Sequence, residues 1–119
     1  HGIIVMNVPD GNTVSAAEHT MAMILSLSRN IYKGHMGLMS GEWNRHKLVG
    51  NELRNKKLGV VGLGKIGKEV IKRSLSYDMK ILGYDPYVNQ DSFNKEGRSL
   101  FLNKASFSLA TCLSLILGA

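Results

Sequence analysis

The sequence predicts an α/β fold, a partial doubly wound parallel sheet with flanking helices, from three consecutive observations. The run Lys57-Leu58-Gly59-Val60-Val61 has the length and apolar continuity of a buried parallel strand. Gly62-Leu63-Gly64-Lys65-Ile66-Gly67 follows at once and opens a helical pattern that reaches about Tyr77. A second apolar run, Met79-Lys80-Ile81-Leu82-Gly83-Tyr84, then ends at Asp85. Strand, glycine turn, helix, strand and acid fill the roughly 30 residues that a βαβ unit needs.

The remaining elements follow in chain order. Ile3-Ile4-Val5-Met6 reads as a short buried strand. Asn7 to Thr13, with Pro9, Asp10, Gly11 and Asn12, is dense turn chemistry. Ser15-Ala16-Ala17-Glu18 matches a capping box, with Ser15 as N-cap and Glu18 reaching back. Helical spacing continues through Met21, Ile24, Leu25 and Leu27 and ends near Asn30. Met21, Met23, Met36 and Met39 are expected to fill gaps in the core. Lys33 to Asn55 is polar and irregular and holds Gly34, Gly37, Gly41, Gly50 and Trp43. The large apolar face of Trp43 requires a partner, either the domain itself or a second copy in a homodimer. His19, His35 and His46 match no metal-ligand spacing, and a helix face or loop accounts for each.

The glycine unit points to dinucleotide binding, with a physical reason at each position. Gly62 permits the tight turn out of the strand, and Gly64, without a Cβ, lets a pyrophosphate approach the backbone. Gly67 allows close packing of the helix against the sheet. The helix start offers unpaired N–H groups and the positive end of the dipole to phosphates. Lys65 and Ile66 lie within the loop, with Lys65 positioned to contact the cofactor. Asp85, about 20 residues on, can accept hydrogen bonds from the adenosine ribose and repel a 2′-phosphate, which favours NAD over NADP. The plainer alternative is an ordinary βα turn with a solvated Asp85. Lys68 and Lys72 read as the solvated helix face, where Glu69 and Arg73, four apart, can pair.

Composition narrows the function classes. A chain of 119 residues has room for one modest domain, and 44% apolar with 20% charged residues is ordinary for a globular protein. The formal charge of +6 is scattered over helix faces and a loop without interleaved aromatics, so no nucleic-acid partner is expected. The apolar stretch from Leu109 to Leu117 is shorter than the ~20 residues that span a bilayer, so no membrane partner is expected. The single Cys112 suits a reducing, cytoplasmic setting. The chain opens at His1 directly into an apolar run, as expected of a piece of something larger.

A family resemblance is carried by specific residues. Leu58-Gly59-Val60-Val61-Gly62-Leu63-Gly64-Lys65-Ile66-Gly67, followed by Ile81 and Tyr84-Asp85, is similar to the NAD signature of D-isomer-specific 2-hydroxyacid dehydrogenases. Asn7-Val8-Pro9-Asp10-Gly11-Asn12-Thr13-Val14-Ser15-Ala16-Ala17-Glu18-His19-Thr20 resembles the segment preceding that signature in the phosphoglycerate-oxidising branch of the family. Arg29-Asn30, Gly41-Glu42-Trp43-Asn44-Arg45 and Gly50-Asn51-Glu52-Leu53 continue the resemblance.

The resemblance implies a Rossmann-type fold with NAD as cofactor. It also implies oxidation of a small 2-hydroxy acid, in this branch D-3-phosphoglycerate, as the first step of serine biosynthesis. A glyoxylate or hydroxypyruvate reductase and a non-catalytic NAD-binding regulator remain alternatives. The implied cofactor contacts are Gly62, Gly64, Lys65, Ile66, Gly67 and Asp85. The family's substrate-gripping arginine, orienting glutamate and histidine base lie well beyond the strand ending at Asp85. None is assigned in this chain, which is expected to be inactive alone. A homo-oligomer with the Trp43 region at its interface is also expected.

Two departures stand out. Asp78 occupies the position where the family usually ends the helix with a left-handed glycine, a conformation that Asp tolerates. The resemblance covers about His1 to Gly97. Residues 98–119, rich in Leu and Ser and without acids, are expected to be an atypical tail from another reading frame or transcript rather than family sequence.

Overall fold

The structure is a computed structural model, and it describes residues 1–88 and 99–101. In chain order the elements are α1 (Thr13–Ser28), α2 (Ile31–Met39), a 3-10 turn (Arg45–Leu48), β1 (Lys57–Val61), α3 (Lys65–Ser76), β2 (Lys80–Tyr84) and β3 (Ser99–Phe101). The strands form a sheet in the order β1-β2-β3. β1 and β2 pair parallel from Lys57 opposite Lys80 to Val61 opposite Tyr84. β2 and β3 pair parallel from Ile81 opposite Ser99 to Gly83 opposite Phe101. β3 lies within the segment set apart in the sequence. The rest of that segment, Cys112 included, lies outside the described residues.

Parallel pairing places Leu58 beside Ile81 and Val60 beside Gly83 on one face of the sheet. α3 packs on that face, and its buried residues are Val70, Ile71 and Ser74. Leu53, Val60, Leu63, Ile71, Met79 and Ile81 form the main buried cluster. A second cluster joins α1 to α3 through Ala17, Met21 and Val70. The Ser74 hydroxyl, fully buried, donates to the Val70 carbonyl at 2.8 Å and lies 3.3 Å from the Met21 sulfur. Arg73 pairs with Glu69 on its own helix, as the spacing predicts, and reaches Glu18 of α1 at 3.6 Å. That bond to Glu69 holds the Glu69 carboxyl below its usual range. Among the described residues no helix packs on the opposite face, where Val61 is exposed.

Asp78 adopts the left-handed conformation expected of it, with φ of 56°. Its N–H donates to the Leu75 carbonyl at 3.0 Å, and the Met79 N–H donates to Ser74 at 3.3 Å, which closes α3 and sends the chain into β2.

Four expectations are corrected. Ile3–Met6 forms no strand and is exposed throughout, because no described strand lies beside it to take its backbone hydrogen bonds. α1 starts two residues before Ser15, with Asn12 at its N-cap, so the capping box does not form. Ser15 instead sits in the first turn and donates to the Asn12 carbonyl at 3.1 Å. The stretch read as irregular from Lys33 contains α2, whose glycines Gly34 and Gly37 weaken the helical signal without breaking the helix. Of the four methionines expected in the core, only Met21 is buried; Met23, Met36 and Met39 are exposed on helices whose outer faces have no described neighbour. Trp43 is 77% exposed, so the domain itself does not cover it.

Candidate functional site

The site begins where β1 leaves the sheet. The Gly62 N–H donates to the Tyr84 carbonyl at 2.8 Å, extending the ladder by one bond. The chain then turns at Gly62 with φ of +90°, a conformation that only glycine adopts without strain. Leu63, 1% exposed, drives its side chain into the main cluster and anchors the turn from below. Its N–H donates to Asp85 Oδ2 at 2.7 Å. The other carboxylate oxygen, Oδ1, accepts the Tyr87 N–H at 2.8 Å. One acid at the end of β2 therefore ties the glycine turn to the loop that follows β2. The Tyr87 and Leu63 amides, helped by the positive charge of Lys68, hold the Asp85 carboxyl below its ordinary range, so it is an anion at neutral pH.

Gly64 is the N-cap of α3, and a Cβ built on it would meet no heavy atom within 4 Å. That space is free of protein, so the glycine leaves the backbone bare to an approaching group. The first-turn amides of α3 have no intrahelical acceptor, so the bare backbone lies beside free donors. Gly67 answers a different need. A Cβ there would lie 2.1 Å from the Gly62 carbonyl oxygen, so α3 can cross the turn at this height only without a side chain. The close contact is with the turn itself, and the sheet contributes one looser neighbour, Val60 Cγ1 at 3.6 Å.

Lys65, the first residue of α3, forms an ion pair with Asp10 at 2.7 Å, and its Nζ lies 3.5 Å from the Pro9 carbonyl oxygen. Ile66 is partly exposed beside it. A cavity of ≈ 620 Å³ runs between the turn and the start of α1; Gly62, Gly64 and Lys65 line one side and Pro9, Asn12 and Thr13 the other. All six positions singled out in the sequence thus come together, five on the turn and Asp85 bracing it from β2. Pro9 to Thr13 was read as a turn and as part of the family resemblance, but its place as the facing wall was not legible, because a contact across 55 residues of sequence has no local signature. Among the described residues no cluster of three or more His, Cys, Asp or Glu is arranged to hold a metal ion.

A parallel βαβ unit with a positive-φ glycine turn, an open glycine at the start of the helix and an ionised acid ending the second strand defines a dinucleotide-binding α/β unit. The comparison with known proteins places it further: the chain belongs to the D-isomer specific 2-hydroxyacid dehydrogenase family, matching the model of its NAD binding domain over residues 21–118. That match runs past the residue-97 boundary drawn from the sequence. NAD is the cofactor of this domain, and the donor set fits it: open backbone at Gly64, a cation at Lys65 and a charged carboxylate at Asp85.

D-3-phosphoglycerate dehydrogenase of Bacillus subtilis is 47% identical over 97 residues, which cover 82% of this chain and 18% of that protein. The pyruvate reductase structure of Chlamydomonas reinhardtii superposes with a TM-score of 0.77 at 30% identity, covering 90% of this chain and 31% of that one. D-lactate dehydrogenase from Aquifex aeolicus, solved with NAD and lactic acid, superposes with a TM-score of 0.73 at 32% identity, covering 86% and 30%. The chain thus spans about a fifth of the length of the curated relatives it matches. No helix among the described residues is long and apolar enough to cross a membrane.

Proposed function

We propose that this chain is the NAD-holding part of an oxidoreductase that converts D-3-phosphoglycerate to 3-phosphohydroxypyruvate. The observation that carries the cofactor half is Asp85, whose two oxygens brace Leu63 and Tyr87 beside the open Gly64 position. In this reading Gly62 and Gly67 shape the turn, while Gly64, Lys65 and Ile66 meet the pyrophosphate. Asp85, keeping lone pairs beyond its amide partners, accepts from the ribose hydroxyls. Bound NAD would supply the acceptor for the hydride that leaves the substrate carbinol. The substrate half is supported by the curated relatives, D-3-phosphoglycerate dehydrogenases at 46–47% identity in Bacillus subtilis and Methanocaldococcus jannaschii. The arginine, glutamate and histidine implied by the resemblance have no assigned positions here, so turnover is expected only from the longer protein.

We further propose that two copies meet through the Trp43 region. Trp43, Leu38 and Met39 are all more than half exposed on one stretch of chain, which is costly for an isolated domain.

Calorimetric titration of the chain with NAD and NADP, with 3-phosphoglycerate turnover followed in the longer protein, tests the main reading. Saturable NAD binding, weaker NADP binding and a loss of about tenfold or more in NAD affinity on Asp85→Asn are expected. Equal binding of the two dinucleotides would remove the ribose role of Asp85. NAD binding in a longer protein that turns over another 2-hydroxy acid would remove phosphoglycerate alone.

A further inference from the structure

The ion pair between Lys65 and Asp10 has no role in the reading above, and its placement gives it one. The two side chains are 58% and 72% exposed, and an exposed pair contributes little to folding. Nor does Lys65 suit its helix, because a cation at the first position opposes the dipole. What the pair does is cross the rim of the cavity: Lys65 stands on the glycine-loop wall and Asp10 follows Pro9 on the facing wall. Asp10 lies in the turn that leads into α1, where the Thr13 N–H donates to its carbonyl at 3.4 Å. An ammonium on a flexible four-carbon stem can exchange one anionic partner for another with little rearrangement.

We propose that Asp10 tunes the glycine loop by competing with the dinucleotide's phosphates for Lys65, so that the pair is a clasp the ligand must open. The proposal rests on the glycine loop being the pyrophosphate site. A pyrophosphate carries more negative charge than a carboxylate and brings it next to the free amides of α3, so it takes Lys65 over. The pair energy is given up on binding, and Asp10 makes the empty loop a weaker receptor than its lysine alone would be. Asp10 is in this sense a positioning residue, which acts on the ligand through Lys65.

A double-mutant cycle of NAD titrations decides it, using the unmutated chain, Asp10→Asn, Lys65→Met and the double variant, with urea unfolding run on all four. Asp10→Asn is expected to tighten NAD binding by about two- to fivefold, the size of one exposed ion pair. In the Lys65→Met background the same change should have no effect, and the unfolding midpoints should coincide. Unchanged or weaker binding in Asp10→Asn overturns the proposal. So does equal tightening with and without Lys65, which would mean direct repulsion of the ligand by Asp10. No NAD binding by an unmutated chain that shows a cooperative urea transition would overturn the reading of the glycine loop as the pyrophosphate site and this inference with it, an outcome distinct from the other two.

Discussion

Gly67 makes the closest approach in the turn, with the Gly62 carbonyl oxygen 2.1 Å from where a Cβ would sit. The obstacle is backbone, in a peptide whose Leu63 N–H is held by Asp85, so it cannot swing aside as a long side chain would. Gly67→Ala should therefore push α3 away from the turn and destabilise the chain by about 1–3 kcal/mol, the cost of overpacking. Urea unfolding reads that loss. Gly64→Ala, whose Cβ enters open space, should leave the unfolding midpoint nearly unchanged while weakening NAD binding. The pair separates a glycine required by the fold from one required by the ligand. The motif spacing already set Gly64 toward the ligand and Gly67 toward packing, but that Gly67 packs against the turn rather than the sheet was not legible. Asp85 likewise has a part that spacing did not show. The spacing made it legible as a ribose acceptor, yet its grip on the Leu63 and Tyr87 amides appears only once β1 and β2 lie side by side.

Among the elements, the packing of α1 on α3 is a principal contact between the first third of the chain and the βαβ unit. It rests on Ala17 and Met21 against Val70 and Ser74, with Arg73 reaching Glu18 at the edge. Met21 is 5% exposed and Met23, two residues on, is 51% exposed, because neighbouring positions on a helix face different ways. Met21→Ala should cost about 2–5 kcal/mol of unfolding free energy, while Met23→Ala should stay within about 0.5 kcal/mol. Equal midpoints in a urea series would show that α1 does not pack as described. β1 and α3 were legible almost to the residue, since an uninterrupted apolar run and an amphipathic repeat are local signals. α2 was not, because Gly34 and Gly37 interrupt the pattern by which helices are recognised. β3 was not read either, since three residues are too few to show a period.

At the scale of the whole molecule, apolar surface is left over. Ile3 to Met6, Trp43 and Val61 are exposed on different parts of the chain. A domain that belongs to a longer protein or assembles with a copy of itself would cover such surface. If the Trp43 region joins two copies, Trp43→Asp should shift the longer protein toward monomer in sedimentation while leaving NAD affinity of each subunit unchanged. A dimer that persists would place the interface elsewhere.

By itself the sequence determined the α/β class and the βαβ unit and pointed to the glycine turn and Asp85 as a candidate site, because these are written in local spacing: apolar runs, a 3.6-residue repeat, glycines and an acid at fixed distances. Only the tertiary structure decided that Ile3–Met6 pairs with no described strand, that Asp85 braces the turn, and that Lys65 faces Asp10 across the cavity. Those depend on which segments come together through space, and chain neighbours carry no record of a partner 22 or 55 residues away.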